Sequence, residues 1–197
     1  MFRPFLCLSL TALVLANPAR AAEQAPACAN AGPLTVYVVR HAERQEDGTD
    51  DPGLNDAGQA RAEALAMVLA DVQIGAVHVS RFRRTLETAA AVIEGSNLEV
   101  RTWPVTWAGV TEHVQALATG ICSEYRDQSV LVVGHSNTVS PVVKALSGLE
   151  VEELSERDFD RLFQVRLLPD QPAELLRARY GHFDPPTNND ADNDSPL

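Results

Sequence analysis

Two histidines each follow directly on a run of apolar residues. His41 comes after the run LTVYVV at 34–39 and Arg40, and His135 comes after SVLVVG at 129–134. Short apolar, β-branched runs of this kind are typical of buried strands. Ligand sites of open α/β sheets lie beyond the carboxyl ends of the strands, so we expect both histidines at one edge of a sheet.

Arginines cluster after a third short apolar run, AVHV at 76–79. Ser80 ends this run, and Arg81, Arg83 and Arg84 follow on the first turn of a predicted helix. A helix N-terminus already favours negative charge, so cations gathered there need an anion between them. Arginines grip phosphoryl oxygens with paired hydrogen bonds. A neutral histidine can attack phosphorus, and a protonated one can stabilise the transition state. The pattern therefore predicts chemistry on a phosphoryl group.

The elements that must position these residues alternate between strands and helices. Strands are predicted at 34–39, 76–79, 98–103, 129–134, 159–168 and 174–180, and helices at 55–70, 82–94, 111–126 and 138–147. Asn55, Ser80 and Thr111 are candidate N-caps. The alternation favours an α/β fold: a three-layer sandwich with a mostly parallel open sheet and helices on both faces. The last two strands are expected to add an antiparallel edge near the C-terminus.

The N-terminal residues have the layout of a cleaved secretory signal. Arg3 precedes an apolar run of about 12 residues, and Ala19-Arg20-Ala21 provides a cleavage site after Ala21 or Ala22. The run is too short for a membrane span, which needs roughly 20 residues. We therefore expect a periplasmic or secreted protein without stable membrane association after cleavage.

The remaining chain divides into three parts. Residues 22–33 form a small-residue lead-in segment, and 34–183 form one domain. The tail at 184–197 is rich in proline, asparagine and aspartate, a composition that predicts disorder.

The charge balance excludes some partners. The chain has 27 acidic and 16 basic residues, a net charge of −11, whereas nucleic acids and anionic membranes need a basic face. The acids Asp47, Asp50 and Asp51 lack the remaining ligands of a calcium loop, and no other cluster is spaced like a metal site. We expect a small phosphorylated substrate and neither a metal nor a cofactor; the sequence does not indicate an oligomeric state.

Four segments resemble the histidine phosphatase superfamily in its phosphoglycerate mutase-like branch: VVRHAER, DPGLNDAGQARAEALA, SRFRRTLETA and VVGHSNT. The resemblance covers about residues 34–181. It implies that His41 is the nucleophile, that Arg40 and Arg84 bind phosphate, and that His135 is the second pocket histidine. Arg81 stands where the family usually has proline.

The resemblance also implies a general acid between Arg84 and His135, near the start of a helix. Glu112 fits that place, although its flanking sequence does not match a family pattern. His113, Glu43 and Asp51 remain alternatives.

The leading interpretation is an exported, metal-independent phosphatase that hydrolyses a phosphomonoester through a covalent phosphohistidine. A phosphoglycerate mutase-like phosphotransferase would use the same residues, but the chain shows no long insertion that could serve as a lid. Removal of phosphate from phosphohistidine on a protein is a third enzymatic option, and a non-catalytic phosphate-ligand binding protein is the alternative outside enzymes.

A disulfide between Cys28 and Cys122 is also predicted. Both precede a predicted strand by a few residues, and the resemblance implies that these two strands are neighbours. Export would supply the oxidising compartment in which the bond persists.

Four other aromatic or titratable residues carry weaker expectations. His78 alternates with apolar neighbours and is expected to be structural, and His182 to lie at the surface. Trp103 and Trp107 fit either the core or the substrate mouth.

Overall fold

The structure is a computed structural model that describes Cys28, residues 32–103 and residues 109–182. The predicted signal at 1–21, most of the lead-in segment and the tail at 184–197 lie outside these ranges, as does Trp107. None of the helices in the described ranges has the length and apolar character needed to cross a bilayer.

Strands and helices alternate as predicted. The elements of the described residues are β1 (Leu34–Arg40), α1 (Asp56–Val68), β2 (Ile74–Ser80), α2 (Arg83–Ile93), β3 (Glu99–Trp103), α3 (Val110–Glu124), β4 (Gln128–Gly134), α4 (Ser136–Ser147), β5 (Arg161–Leu167) and β6 (Glu174–Arg179). The apolar runs at 34–39, 76–79 and 129–134 form β1, β2 and β4, because their β-branched residues pack well in a pleated sheet with both faces covered.

The six strands form one mixed sheet in the order β3-β2-β4-β1-β5-β6. β1, β2, β3 and β4 are mutually parallel, whereas β5 runs antiparallel to β1 and β6 antiparallel to β5. The predicted mostly parallel sheet with an antiparallel C-terminal edge is confirmed. β1 and β4 pair with Arg40 opposite Gly134, so His41 and His135 leave the sheet side by side.

Helices cover both faces of the sheet and bury a core on each side. On one face, Leu65 of α1 packs with Val77 and Leu131 of the sheet. On the other, Ile121 of α3 and Leu146 of α4 belong to the core that includes Val36. Burial of such side chains contributes roughly 1.5–3 kcal/mol each, and this packing holds the strand ends in a fixed relation.

Helix starts follow the predictions only in part. Asn55 caps α1, with its Oδ1 accepting a hydrogen bond from the Gly58 N–H at 2.9 Å. Ser80 is the last residue of β2 rather than the cap of α2, which begins at Arg83. α3 begins after Gly109, so Thr111 lies inside the helix.

α4 begins at Ser136, two residues before the predicted start. Its capping interactions come from Thr138, whose hydroxyl accepts a hydrogen bond from the His135 N–H at 2.8 Å. The helix starts directly after His135 and fixes the backbone of that residue.

Cys28 and Cys122 are joined by a disulfide, as predicted. Both are buried, and Cys122 lies in the last turns of α3. The bond attaches the segment before β1 to this helix.

Candidate active site

The carboxyl ends of β1 and β4 form the floor of a cleft of about 350 Å³. The two ends are tied together by a hydrogen bond from the His41 N–H to the Gly134 carbonyl at 2.9 Å. The cleft is lined by Arg40, His41, Arg44, Thr49, Asp50, Pro52, Arg84, His135, Ser136, Asn137 and Glu156. Four predicted site residues therefore meet here: Arg40, His41, Arg84 and His135.

His41 is held in one orientation and one tautomer. Its Nδ1 lies 2.8 Å from the Ala42 carbonyl oxygen, which only accepts hydrogen bonds, so Nδ1 carries the proton and Nε2 keeps its lone pair. Burial lowers the pKa of His41 to about 3, so the ring is neutral at pH 7. A neutral imidazole with a free Nε2 is the form that acts as a nucleophile.

The backbone beside His41 is fixed by α2. The Ala42 N–H donates to the Thr88 hydroxyl at 2.9 Å, and that hydroxyl donates to the Arg84 carbonyl at 2.6 Å. One turn of α2 therefore positions both Ala42, which follows His41, and Arg84.

His135 is held from the opposite side of the cleft. Its Nε2 lies 2.9 Å from the Ser80 hydroxyl, and its Nδ1 faces an Arg84 nitrogen at 3.5 Å. The His41 and His135 ring centroids are 5.3 Å apart. Burial chiefly, and then the Arg84 charge, lower the pKa of His135 to about 4, so the unliganded site holds His135 neutral and the expected protonated form needs a bound anion.

Ser80 connects His135 to the start of α2. Its hydroxyl lies 3.0 Å from the Thr85 hydroxyl, which donates to the Phe82 carbonyl at 2.8 Å. Arg84 donates to Nδ1 of His135 when the ring is neutral, so Nε2 carries the proton and donates to Ser80. The sequence predicted a capping role for Ser80; in the structure it orients the second histidine instead.

Arg40 is buried under the loop that precedes β5. Its guanidinium stacks on the Phe159 ring at 4.1 Å and donates to the Ser155 carbonyl at 2.8 Å and to the Glu156 carboxylate at 3.0 Å. Glu156 also accepts a hydrogen bond from Ser136 at 2.8 Å. An incoming phosphoryl group would share the Arg40 cation with this carboxylate.

Arg84 is the arginine of the cluster after β2 that enters the cleft. It stacks on the Phe82 ring at 4.2 Å and lies 4.0 Å from the Asp51 carboxylate. Arg83, by contrast, is exposed and pairs with Glu87. The register predicted from helical spacing is confirmed for this pair.

Arg40 and Arg84 each bury a donor that lacks an acceptor among the described residues. These donors are the Nε–H groups of Arg40 and Arg84. Burial lowers the pKa of each guanidinium, a sign that the fold carries two poorly hydrated cations side by side. Unsatisfied buried donors cost free energy, and an anion with several oxygens would relieve that cost.

Two of the candidate acids, Glu43 and Asp51, are each engaged by an arginine. Glu43 is committed to a bidentate ion pair with the buried Arg61, which removes it from consideration as the acid. Asp51 lies against Arg84 and accepts from the Arg83 N–H at 2.9 Å.

Glu112 and His113 lie on the first turns of α3. Glu112 is exposed and is not among the described residues that line the cleft. His113 lines a small inner cavity of about 20 Å³ behind His135. Residues 104–108, which precede this helix, lie outside the described ranges, so the assignment of Glu112 stays a prediction.

His78 forms a buried polar cluster away from the cleft, as expected for a structural residue. Trp103 donates to its Nδ1 at 2.5 Å, and its Nε2 lies 3.2 Å from the Tyr125 hydroxyl. Burial lowers the pKa of His78 to about 4. Trp103 therefore belongs to the packing behind the site, and His182 is exposed as predicted.

Sequence reasoning missed the residues that the loop before β5 contributes. Glu156 and Phe159 contact Arg40 across more than a hundred positions of chain, and nothing in their local pattern indicates this. No group of three or more residues arranged to hold a metal occurs in the described part of the chain.

The fold is an α/β sandwich, and two histidines and two arginines meet in a cleft at the carboxyl ends of its parallel strands. The model of the histidine phosphatase superfamily (branch 1) matches residues 36–105, which carry His41, Arg40 and Arg84. The predicted resemblance to the histidine phosphatase superfamily is thereby confirmed. A search of curated proteins found no match.

Solved structures of low sequence identity share the fold. The alpha-ribazole phosphatase from Shigella flexneri superposes with a TM-score of 0.59 at 17% identity, over 77% of this chain and 100% of that one. The protein histidine phosphatase SixA complexed with tungstate gives 0.54 at 23%, over 74% and 96%. The mycobacterial glucosyl-3-phosphoglycerate phosphatase gives 0.52 at 20%, over 67% and 89%.

Proposed function

We propose that the protein is a phosphatase that hydrolyses phosphomonoesters through a phosphohistidine at His41. The observation that carries this proposal is the fixed neutral tautomer of His41, whose Nδ1–H is bound by the Ala42 carbonyl. Binding of phosphate alone does not require a nucleophilic nitrogen beside two buried arginines. The solved structures that share the fold include proteins named as phosphatases.

The reaction would proceed in two displacements. Nε2 of His41 attacks phosphorus, and the bond from phosphorus to the ester oxygen breaks as the bond to nitrogen forms. The leaving oxygen takes a proton from an acid or from water. Water then attacks the phosphohistidine, which releases inorganic phosphate and restores His41.

The arginines and His135 stabilise the charge of the transferring group. Arg40 and Arg84 flank His41, and stacking on Phe159 and Phe82 restricts the orientation of their guanidinium groups. Preorganised donors of this kind supply much of the rate enhancement in phosphoryl transfer. A bound phosphoryl dianion raises the pKa of His135 and allows Nδ1 to hold a proton toward it.

We also propose that the protein is exported and acts in the periplasm or outside the cell. The signal-like pattern of residues 1–21 and the Cys28–Cys122 disulfide support this, since disulfides persist in oxidising compartments. Cell fractionation with N-terminal sequencing of the protein tests the localisation and the cleavage position.

The catalytic proposal is tested with p-nitrophenyl phosphate and a comparison of the wild type with His41→Ala. We expect turnover by the wild type that survives a chelator, loss of turnover in the variant, and an acid-labile phosphoryl group on His41 in quenched samples analysed by mass spectrometry. Activity that disappears with the chelator and returns with a divalent metal would contradict the proposal. Tight phosphate binding without turnover would favour a binding protein.

A further inference from the structure

Arg44 is a third arginine of the cleft that the proposed reaction does not use. It lines the cleft together with Arg40 and Arg84. Its side chain is exposed and forms no hydrogen bond or ion pair with another residue of the described ranges. Its presence there is not explained by packing.

The backbone of Arg44 is fixed despite the exposure of its side chain. An isolated antiparallel bridge joins Arg44 to Leu54, flanked by the hydrogen bonds Gln45 N–H to the Gly53 carbonyl at 2.8 Å and Asn55 N–H to the Glu43 carbonyl at 3.0 Å. In extended backbone, successive side chains point to opposite sides. Glu43 points inward to Arg61, so Arg44 points the other way, to the cleft.

The Arg44 charge acts on the phosphate-binding groups. Burial chiefly lowers the pKa of Arg40 and of Arg84, and the charge of Arg44 lowers both further. The hydrogen bond from Ser136 chiefly lowers the pKa of Glu156, and Arg44 acts in the same direction. The guanidinium of Arg44 is therefore within electrostatic reach of the place where the transferred group binds.

The cleft has room for more than a phosphoryl group. Its volume of about 350 Å³ lies within the range of sites that hold whole small molecules, roughly 300–1,000 Å³. Asp50 and Glu156 also line it, but Glu156 is already engaged by Arg40 and Ser136. The Arg44 guanidinium at the edge of the cleft can bind an anionic group of the substrate that lies at some distance from the reacting phosphorus.

We propose that Arg44 forms a second anion subsite, which binds a carboxylate or phosphoryl group that the substrate carries in addition to the transferred phosphoryl group. This inference rests on the proposed function for the identity of the first subsite. The substrate class would be phosphorylated acids or bisphosphorylated small molecules rather than phosphomonoesters without a second anionic group.

The test uses phosphonates, which bind without being hydrolysed. Calorimetry would compare 3-phosphonopropionate with propylphosphonate, two ligands of equal length that differ by a carboxylate, on the wild type, Arg44→Gln and Arg83→Gln. Arg83 is a matched control because it is a nearby exposed arginine that does not line the cleft. Methylenediphosphonate distinguishes a second phosphoryl group from a carboxylate.

We expect the wild type to bind the ligand with the second anion up to about fivefold more tightly than the ligand without it, which is the most that an exposed ion pair typically contributes. Arg44→Gln should lose this preference, and Arg83→Gln should keep it. Equal affinity of the wild type for all ligands, equal loss in both variants, or failure of every phosphonate to bind would overturn the subsite. Failure of the proposed function would instead show as absent turnover of p-nitrophenyl phosphate with the ligand preference intact.

Discussion

One N–H bond decides what His41 can do. The Ala42 carbonyl accepts from Nδ1, so Nε2 keeps its lone pair as long as the ring is neutral. The sequence places a histidine after a strand but does not contain this tautomer, because the acceptor is a backbone carbonyl whose direction depends on Thr88 of α2.

Arg84 and its neighbour Arg83 provide a matched pair of substitutions. Arg84→Ala should lower kcat/KM by roughly 100-fold or more, since a preorganised charged donor at the reacting group is lost. Arg83→Ala should change it by less than about threefold, since Arg83 forms an exposed pair with Glu87. Steady-state kinetics with p-nitrophenyl phosphate measures both, and equal losses would show that Arg83 also reaches the substrate.

The general acid can be identified by comparing substrates whose leaving groups differ in their need for a proton. Asp51 and Glu112 both lie outside the described lining of the cleft, and Asp51 is already engaged by Arg84 at 4.0 Å and by the Arg83 N–H, so Glu112 stays the predicted acid. Glu112→Gln should reduce turnover of alkyl phosphates by roughly 100-fold and of aryl phosphates much less, because phenolate leaves without a proton donor. The same selective loss in Asp51→Asn, with none in Glu112→Gln, would move the assignment to Asp51.

At the scale of elements, Ser80 at the end of β2 positions His135, the residue that follows β4. Ser80 holds Nε2 of His135, so Nδ1 is turned to Arg84 and the cleft. Strand ends could be predicted because buried strands require continuous apolar runs. The contact between Ser80 and His135 could not, because it depends on the register of β2 against β4, which a sequence pattern does not define.

Ser80→Ala removes this support and leaves Arg40 and Arg84 unchanged. We expect kcat to fall about tenfold with little change in KM, and stability to fall by about 1–3 kcal/mol because a buried Nε2–H loses its acceptor. Nitrogen NMR of His135 should show a mixture of tautomers in place of one. Ser123→Ala, at an exposed position of α3, serves as the control, and an unchanged tautomer would contradict the positioning role.

The loop between α4 and β5 shows where prediction from the sequence failed. Glu156 and Phe159 complete the environment of Arg40, but their segment has no periodic pattern, and their partners are distant along the chain. The same limitation applies to the start of α4, where Thr138 supplies the cap from inside the helix. Periodicity predicts elements, whereas contacts between loops depend on the assembled fold.

For the molecule as a whole, the Cys28–Cys122 bond constrains a long stretch of chain. The two cysteines are 94 positions apart, for which the chain-entropy argument allows about 4–5 kcal/mol. Cys28→Ala with Cys122→Ala should lower the melting temperature and leave kcat/KM within about twofold, because the bond lies outside the cleft. Scanning calorimetry with and without reductant measures this, and an equal melting temperature in both conditions would show that the bond contributes no stability.

The position of β1 in the sheet delays its pairing during synthesis of the chain. β1 is a central strand, yet its neighbours β4 and β5 follow only after about a hundred further residues of chain. At ribosomal rates of about 5–20 residues per second, β1 exists for roughly 5–20 seconds before its first partner is made. An apolar strand with two unpaired edges is a template for association with other chains. The segment that leads to His41 is thus a part of the newly synthesised chain that has to be kept from associating with other copies until β4 is made.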